Sequence, residues 1–279
     1  MSEAMESLGT TGGRRVRLPG GRAARRFAAS ITEWRLGRRL AGPRLIRAFA
    51  SAYPQPFFVE IGANDGEQHD HLRPFILSRP WRGIMVEPVP YVFERLRANY
   101  GGLGRVELEN AAIADRDGRL PFYYLAEADL RERKRLPDWY DGIGSFSREK
   151  VLAHGKSIPD VADRLVRREV SCMTFETLCR RHGADRVDLL VIDAEGYDAE
   201  ILRSIDFDAR RPRVLVYEHF HLAPSDRRQC RDLVEDAGYQ TLEEGFDTFC
   251  LLPDRADSLD RCWRSLQPAV QGVSVHDEP

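Results

Sequence analysis

The chain has 279 residues, 42% of them apolar, and a formal net charge of −2. That length favours one large α/β domain with extensions, and the near-neutral balance supplies no overall field toward nucleic acid or a membrane surface. No stretch has the length and apolarity of a membrane span or a secretion signal, and five cysteines without a CxxC pair read as reduced thiols in a cytoplasmic protein.

Residues 1–22 are basic and glycine-rich, with Arg14, Arg15, Arg17 and Arg22 in no periodic order, and are expected to be a disordered tail. Residues 23–55 carry Ile31, Trp34, Leu45 and Phe49 at helical spacing and predict one or two helices, broken near Gly42-Pro43. The main domain is expected over 56–264 and a loose tail over 265–279. Residues 57–61 are apolar around a single carboxylate, Glu60, and read as a buried parallel strand. Gly62-Ala63-Asn64-Asp65-Gly66 follows as a tight turn without bulk, on which a ligand can lie, and a helix is expected over 71–77. A second strand, 84–87, ends in Glu87, whose carboxylate is suited to accept from both hydroxyls of a ribose.

A helix over 91–100 turns Val92, Phe93, Leu96 and Tyr100 toward the sheet, and a strand at 106–108 runs into Asn110-Ala111. Asp117-Gly118 signals a hairpin before a strand at 120–125. Residues 126–167 then break the rhythm. They are charged and weakly periodic, and are expected to be an insertion over the ligand pocket, with Gly142-Ile143-Gly144-Ser145-Phe146 as the most site-like stretch. A strand at 170–173 and a helix at 175–181, capped by Thr174, restore the pattern. The apolar run up to Ile192 ends in Asp193, followed by Ala194-Glu195-Gly196-Tyr197 and a helix over 199–205. A strand at 214–217 ends in Glu218-His219-Phe220-His221, and a helix over 226–237 leads to a closing hairpin of 239–242 and 248–252. Apolar runs thus end at Glu60, Glu87, Asp193 and Glu218. In an open α/β sheet, ligands sit beyond the carboxyl ends of the strands, so these acids together mark one site.

The stretches FFVEIGANDG at 57–66, WRGIMVEPVPYVFERLRANY at 81–100, NAAIAD at 110–115 and VDLLVIDAEGYDAEIL at 187–202 resemble the FkbM family of S-adenosylmethionine-dependent methyltransferases. The resemblance implies an α/β fold, the class I methyltransferase (Rossmann-like) sheet of seven mostly parallel strands with helices on both faces and the last strand antiparallel. It implies methyl transfer, commonly to a hydroxyl oxygen of a sugar or secondary metabolite, with S-adenosyl-L-methionine as cofactor. By the same resemblance, Glu60, Gly62, Asn64 and Asp65 form the first cofactor motif and Gly62 admits the methionine part. Glu87 holds the ribose diol, Asn110 and Ala111 line the adenine, and Asp193 stands beside the sulfonium.

A hydroxyl acceptor must lose a proton. Asp193, Glu218, His219 and His221 are placed to take it, with Asp193 expected to orient the sulfonium end and His219 to activate the hydroxyl. Ser145, Glu195, Tyr197 and His221 are expected on the acceptor side. A Mg²⁺ ion held by Asp193, Glu218 and His219 is the less favoured route to the same activation. The expected partner is a small-molecule or glycan acceptor, with no nucleic acid. Two alternatives stand beside this reading. One is an NAD-dependent oxidoreductase, whose ribose contact Glu87 also fits, although Asn64 replaces the second glycine of GxGxxG. The other is a non-catalytic S-adenosyl-binding protein.

Overall fold

The structure is a computed structural model that describes residues 40–254 and 257–270. The expected tail at 1–22 and the expected helices up to residue 39 lie outside the described residues. The chain proceeds through α1 (Ala41–Ala52), β1 (Phe57–Ile61), α2 (Arg73–Ser78), β2 (Arg82–Val86), α3 (Pro90–Tyr100) and β3 (Val106–Glu109). It then forms β4 (Ala112–Ile113), β5 (Gly118–Leu125), a 3₁₀ turn (Asp138–Gly142), β6 (Gly144–Ser145), α4 (Arg148–Ala153), a second 3₁₀ turn (His154–Lys156), α5 (Val161–Arg164) and β7 (Leu165–Met173). The last part comprises α6 (Phe175–Arg181), β8 (Leu189–Ile192), α7 (Asp198–Ser204), β9 (Val214–Glu218), α8 (Pro224–Asp236), β10 (Gln240–Glu244), β11 (Asp247–Leu251) and α9 (Ser258–Val270).

One sheet of seven strands runs in the order β3-β2-β1-β8-β9-β11-β10. The pairings β2–β3, β1–β2, β1–β8 and β8–β9 are parallel, and β11 runs antiparallel to both β9 and β10. The apolar runs explain this arrangement. Side chains alternate across a strand, and β1, β2, β8 and β9 bury residues on both faces, so they need helices on both sides. On one face Val59, Ile61, Ile84, Leu190 and Ile192 pack with Phe175, Leu178, Ile201 and Leu202 of α6 and α7. On the other, Phe58, Met85, Leu189 and Val216 pack with Leu45 and Phe49 of α1, Ile76 of α2, and Trp263 of α9. Truncating a fully buried ring such as Phe58 to alanine costs about 3–5 kcal/mol.

Two features differ from the sequence expectation, the tail and residues 126–167, and a third, the start of α1, falls where a break was expected. Gly42-Pro43 lies in the first turn of α1, where proline forfeits no intrahelical hydrogen bond, and what precedes residue 40 lies outside the described residues. The free amides of that turn, Ala41 N and Gly42 N, donate instead to the Glu244 carboxylate at 2.8 and 2.9 Å. The tail expected from residue 265 begins inside α9, which buries Leu259, Trp263 and Leu266. Residues 126–167 are not an irregular loop. β7 starts at Leu165 and pairs antiparallel with β5 from Leu125↔Leu165 to Gly118↔Cys172, giving a second sheet in the order β4-β7-β5-β6. A small core of Leu125, Tyr140, Ile143, Val151 and Ile158 holds the intervening turns.

Candidate active site

The carboxyl ends of β1, β2 and β8 meet at the glycine turn. Gly62 has φ +78°, and a Cβ there would lie 1.7 Å from the Asp193 carbonyl oxygen, so the β1 and β8 tips touch backbone to backbone and only glycine fits. Asn64, with φ +48°, donates its amide to Glu87 Oε2 at 3.0 Å, and Val89 N donates to Glu87 Oε1 at 2.7 Å. One buried carboxylate therefore joins the turn after β1 to the loop after β2. Burial pushes Glu87 up to about 7, against the pull of those two amides.

A crevice of about 600 Å³, including its open mouth, lies over these tips. One wall carries Gly62, Asn64, Glu87, Pro88, Ala111 and Asp193, and the facing wall Phe122, Gly142, Gly144, Phe146, Glu195 and Tyr197. Three of the predicted cofactor residues do not line it. Asp65 closes the turn by accepting from Glu67 N and Gln68 N, both at 2.9 Å. Asn110 braces the loop after β2 by donating to the carbonyls of Glu87 at 2.8 Å and Pro88 at 3.3 Å. Glu60 shares the face of Phe58 by strand alternation, and its buried Oε2 has no partner. Burial and the charges of Asp70 and Asp193 push its carboxyl well above the ordinary range.

The facing wall combines the second sheet and its turns with Glu195 and Tyr197 from the loop after β8. Phe122 meets Phe146 edge to face at 5.1 Å, and Phe146 tilts against Tyr197 at 4.5 Å. The 3₁₀ turn bearing Gly142 is tied to α3 through buried Asp141, which accepts from Arg95 Nη1 at 2.7 Å and Tyr91 OH at 3.2 Å, and pairs with Arg133 at 2.7 Å. Ser145 stands behind this wall, its hydroxyl 3.5 Å from the Glu195 carbonyl.

At the tips of β8 and β9 the carboxylates crowd together. Asp193 lines the crevice and stays open to solvent, and partial desolvation with the charges of Glu195 and Asp198 raises its carboxyl above the ordinary range. Asp198 carries no signal of its own in the sequence beyond its place in DAEGYD. It is fully buried and accepts from Ala194 N and Gly196 N at 3.3 Å and from Glu218 N at 3.2 Å, which fixes the loop where Glu195 takes φ +48° and Gly196 φ +89°. That loop aims Glu195 Oε2 at His221 Nε2, 3.1 Å away. His154, from the second 3₁₀ turn, brings its ring to 5.8 Å from that of His221. Glu218 is buried behind them, with Oε1 3.8 Å from His221 Nε2 and Oε2 without a partner. An aromatic rim continues from Trp139, 5.4 Å from His154, through Phe220, 5.0 Å from His221, to Phe246.

His219 is the main correction. Its side chain is 3% exposed, its Nδ1 lies 2.9 Å from Thr248 Oγ1 on β11, and it does not line the crevice. Burial and nearby Arg227 lower it to about 4. Glu218 ends β9 facing the β8 tip and His219 turns to the far side, while the turn that follows the strand brings His221 back to the tips. His219 therefore serves neither as the base nor as a ligand beside Asp193 and Glu218. His154, by contrast, was invisible in a segment without periodicity.

A sheet of this order, with one reversed strand and a crevice over the tips of β1, β2 and β8, defines the class I methyltransferase fold. The profile of the Methyltransferase FkbM domain matches residues 60–241, and the chain belongs to that family. Membership sets aside the oxidoreductase alternative. A curated relative, the 2-O-methyltransferase NoeI of Sinorhizobium fredii, is 29% identical over 152 residues, covering 53% of this chain and 57% of NoeI. The chain thus spans a little over half the length of that relative. Among solved structures, a methyltransferase FkbM from Methylobacillus flagellatus KT is similar with a TM-score of 0.44 at 12% identity, over 71% of this chain and 44% of that one. Fibrillarin of Aeropyrum pernix, solved with S-adenosyl-L-methionine, is similar with a TM-score of 0.35 at 12% identity, over 70% of this chain and 66% of that one. No helix among the described residues is long and apolar enough to cross a membrane.

Proposed function

We propose that the protein transfers a methyl group from S-adenosylmethionine to a hydroxyl oxygen of a small molecule or glycan. The observation that carries this reading is the single crevice in which the Gly62 turn, Glu87 and Asp193 form one wall and Glu195, backed by His221, begins the other. The residues fit that cofactor. Gly62 leaves the backbone bare, Glu87 keeps lone pairs for a ribose diol beside its two amides, and Asp193 offers a carboxyl whose ionised form a bound cation would favour. When bound, S-adenosylmethionine supplies an electrophilic methyl group on a sulfonium centre.

Asp193 attracts that centre in the ground state, and such attraction accelerates nothing unless it grows in the transition state. The chain's larger contribution is alignment. The rigid contact between the β1 and β8 tips and the aromatic wall of Phe122, Phe146 and Tyr197 confine the acceptor to one direction of approach. The proton of the acceptor hydroxyl is taken up at the Glu195–His221 edge. The name of NoeI, a 2-O-methyltransferase, supports oxygen as the acceptor atom. Calorimetry is expected to show micromolar binding of S-adenosylmethionine and its demethylated product and none of NAD, and labelled cofactor should pass its methyl group to a hydroxyl compound from an acceptor screen. Tight NAD binding without S-adenosyl binding would overturn the reading. S-adenosyl binding without turnover of any acceptor would leave a binding protein in its place.

A further inference from the structure

We infer that His154, Glu195 and His221 form a site for a divalent transition-metal ion at the acceptor end of the crevice. The three residues come from segments remote in sequence, a 3₁₀ turn of the second sheet and the loops after β8 and β9, yet one donor atom from each lies within 4.8 Å of the others. Two imidazoles and one carboxylate are a donor set for zinc, cobalt, manganese or ferrous iron, whereas Mg²⁺ and Ca²⁺ prefer oxygen alone. Ligand bonds of about 2.0–2.2 Å in a tetrahedral site put donor atoms about 3.3 Å apart. Glu195 Oε2 and His221 Nε2 are already 3.1 Å apart. His154 needs only a modest approach, on a short turn held by α4.

A second, independent observation points to a cation. Glu218 is only 9% exposed, its Oε2 has no hydrogen-bond partner, and its Oε1 lies 3.8 Å from His221 Nε2. The nearby ammonium, Lys150 Nζ, is engaged with the Gly196 carbonyl. A dication beside His221 would give Glu218 the counter-charge that its surroundings do not. Three protein ligands leave a coordination position free, and Glu195 also lines the crevice, so that position opens toward the acceptor.

The catalytic consequence rests on the methyl-transfer reading, whereas the binding itself does not. With the ion bound, Glu195 and His221 are ligands and no longer the proton acceptor; an acceptor hydroxyl in the free position is acidified and releases its proton to solvent at the open mouth of the crevice. Its oxygen then bonds to the methyl carbon while the carbon–sulfur bond breaks and the electron pair stays on sulfur.

The test uses tag-free full-length chain, stripped with chelator and dialysed against Zn²⁺, Co²⁺, Mn²⁺ or Mg²⁺, with bound metal measured by mass spectrometry and S-adenosylmethionine binding by calorimetry on the same samples. The expectation is about one equivalent of Zn²⁺ or Co²⁺, no Mg²⁺, and cobalt absorption bands of a low-coordinate site. Loss of even an outer partner costs about 10–100-fold in metal affinity, so His154→Ala and His221→Ala should each lose at least about 100-fold, while His219→Ala keeps the metal. Circular dichroism confirms that each variant is folded, and Glu195→Gln, which keeps the side-chain shape, is the second variant. Wild-type chain that binds no stoichiometric metal while still binding S-adenosylmethionine overturns the site and spares the proposed function. Metal binding unchanged in His154→Ala and Glu195→Gln also overturns it. Stoichiometric metal with turnover indifferent to its removal overturns the catalytic role.

Discussion

The wall over the tips of β1, β2 and β8 is made of backbone and of carboxylates that grip backbone: Gly62 against Asp193, and Glu87 holding the amides of Asn64 and Val89. The wall facing it is made of side chains from separate segments, Phe122 on β5, Phe146 after β6 and Glu195 after β8, with His154 and His221 gathered beside Glu195. The first wall suits a ligand that never changes. The second can vary residue by residue without disturbing the sheet, which is where specificity for an acceptor belongs. If this division holds, substitutions in one wall should leave the other wall's property intact.

The largest separation is expected at the Glu195–His221 edge. Glu195→Gln and His221→Ala should each lower single-turnover methyl transfer by about 10²- to 10⁴-fold, with the calorimetric dissociation constant for S-adenosylmethionine nearly unchanged. A parallel loss of cofactor affinity would show that the walls are one unit. Glu87→Ala should do the reverse. It removes a charged acceptor worth about 1.5–3 kcal/mol, so cofactor affinity should fall about 10- to 100-fold while turnover at saturating cofactor is retained. Part of that loss will come from freeing the Asn64 and Val89 amides, and Glu87→Gln, which can hold one of them, should lose less.

His219→Ala lies outside both walls. Its effect should be confined to stability, about 1–3 kcal/mol from the stranded Thr248 hydroxyl and lost packing, read from urea denaturation, with folded protein turning over at the wild-type rate. A large fall in turnover would return His219 to the reaction. The smallest effect concerns pH. Burial raises Glu87 and Asp198 to about 7. Above about pH 6.5 the unfolded carboxylates are already ionised while the folded protein still holds protons on these two, so stability should fall as pH rises to about 8. Below that window buried His219 and the partly desolvated His71 and His154, all lowered, act with the opposite sign. Bound S-adenosylmethionine, a cation, should flatten the slope of melting temperature between about pH 6.5 and 8, and an unchanged slope would argue that Glu87 does not meet the ligand.

Legibility in the sequence followed the same division. Central parallel strands are apolar on both faces, so β1, β2, β8 and β9 stood out as short runs, and the acids that ended them located the crevice. The second sheet was hidden because the start of β7 carries exposed Arg167, Arg168 and Glu169, which carry no apolar alternation. In α9, Leu259, Trp263 and Leu266 recur at helical spacing, but charged neighbours dilute the pattern. Glu60 and His219 were misplaced by one step of strand alternation, a choice that acidity and proximity to a strand tip do not decide. His154 gains meaning only from residues 41 and 67 positions away, Glu195 and His221, and nothing local in a chain records such a meeting.

The position of Trp139 makes the acceptor end observable by light. Among the described tryptophans, Trp81 and Trp263 are sealed in the core, and Trp139 is 38% exposed with its ring 5.4 Å from the His154 imidazole. Among the described tryptophans its emission is therefore the longest in wavelength, distinct from the blue-shifted light of Trp81 and Trp263. A proton or an ion arriving on His154 places positive charge within reach of that indole and quenches it. The emission of Trp139, isolated by replacing Trp34 with Phe, thus follows events at the histidines, while that of Trp81 and Trp263 stays silent unless the core itself opens.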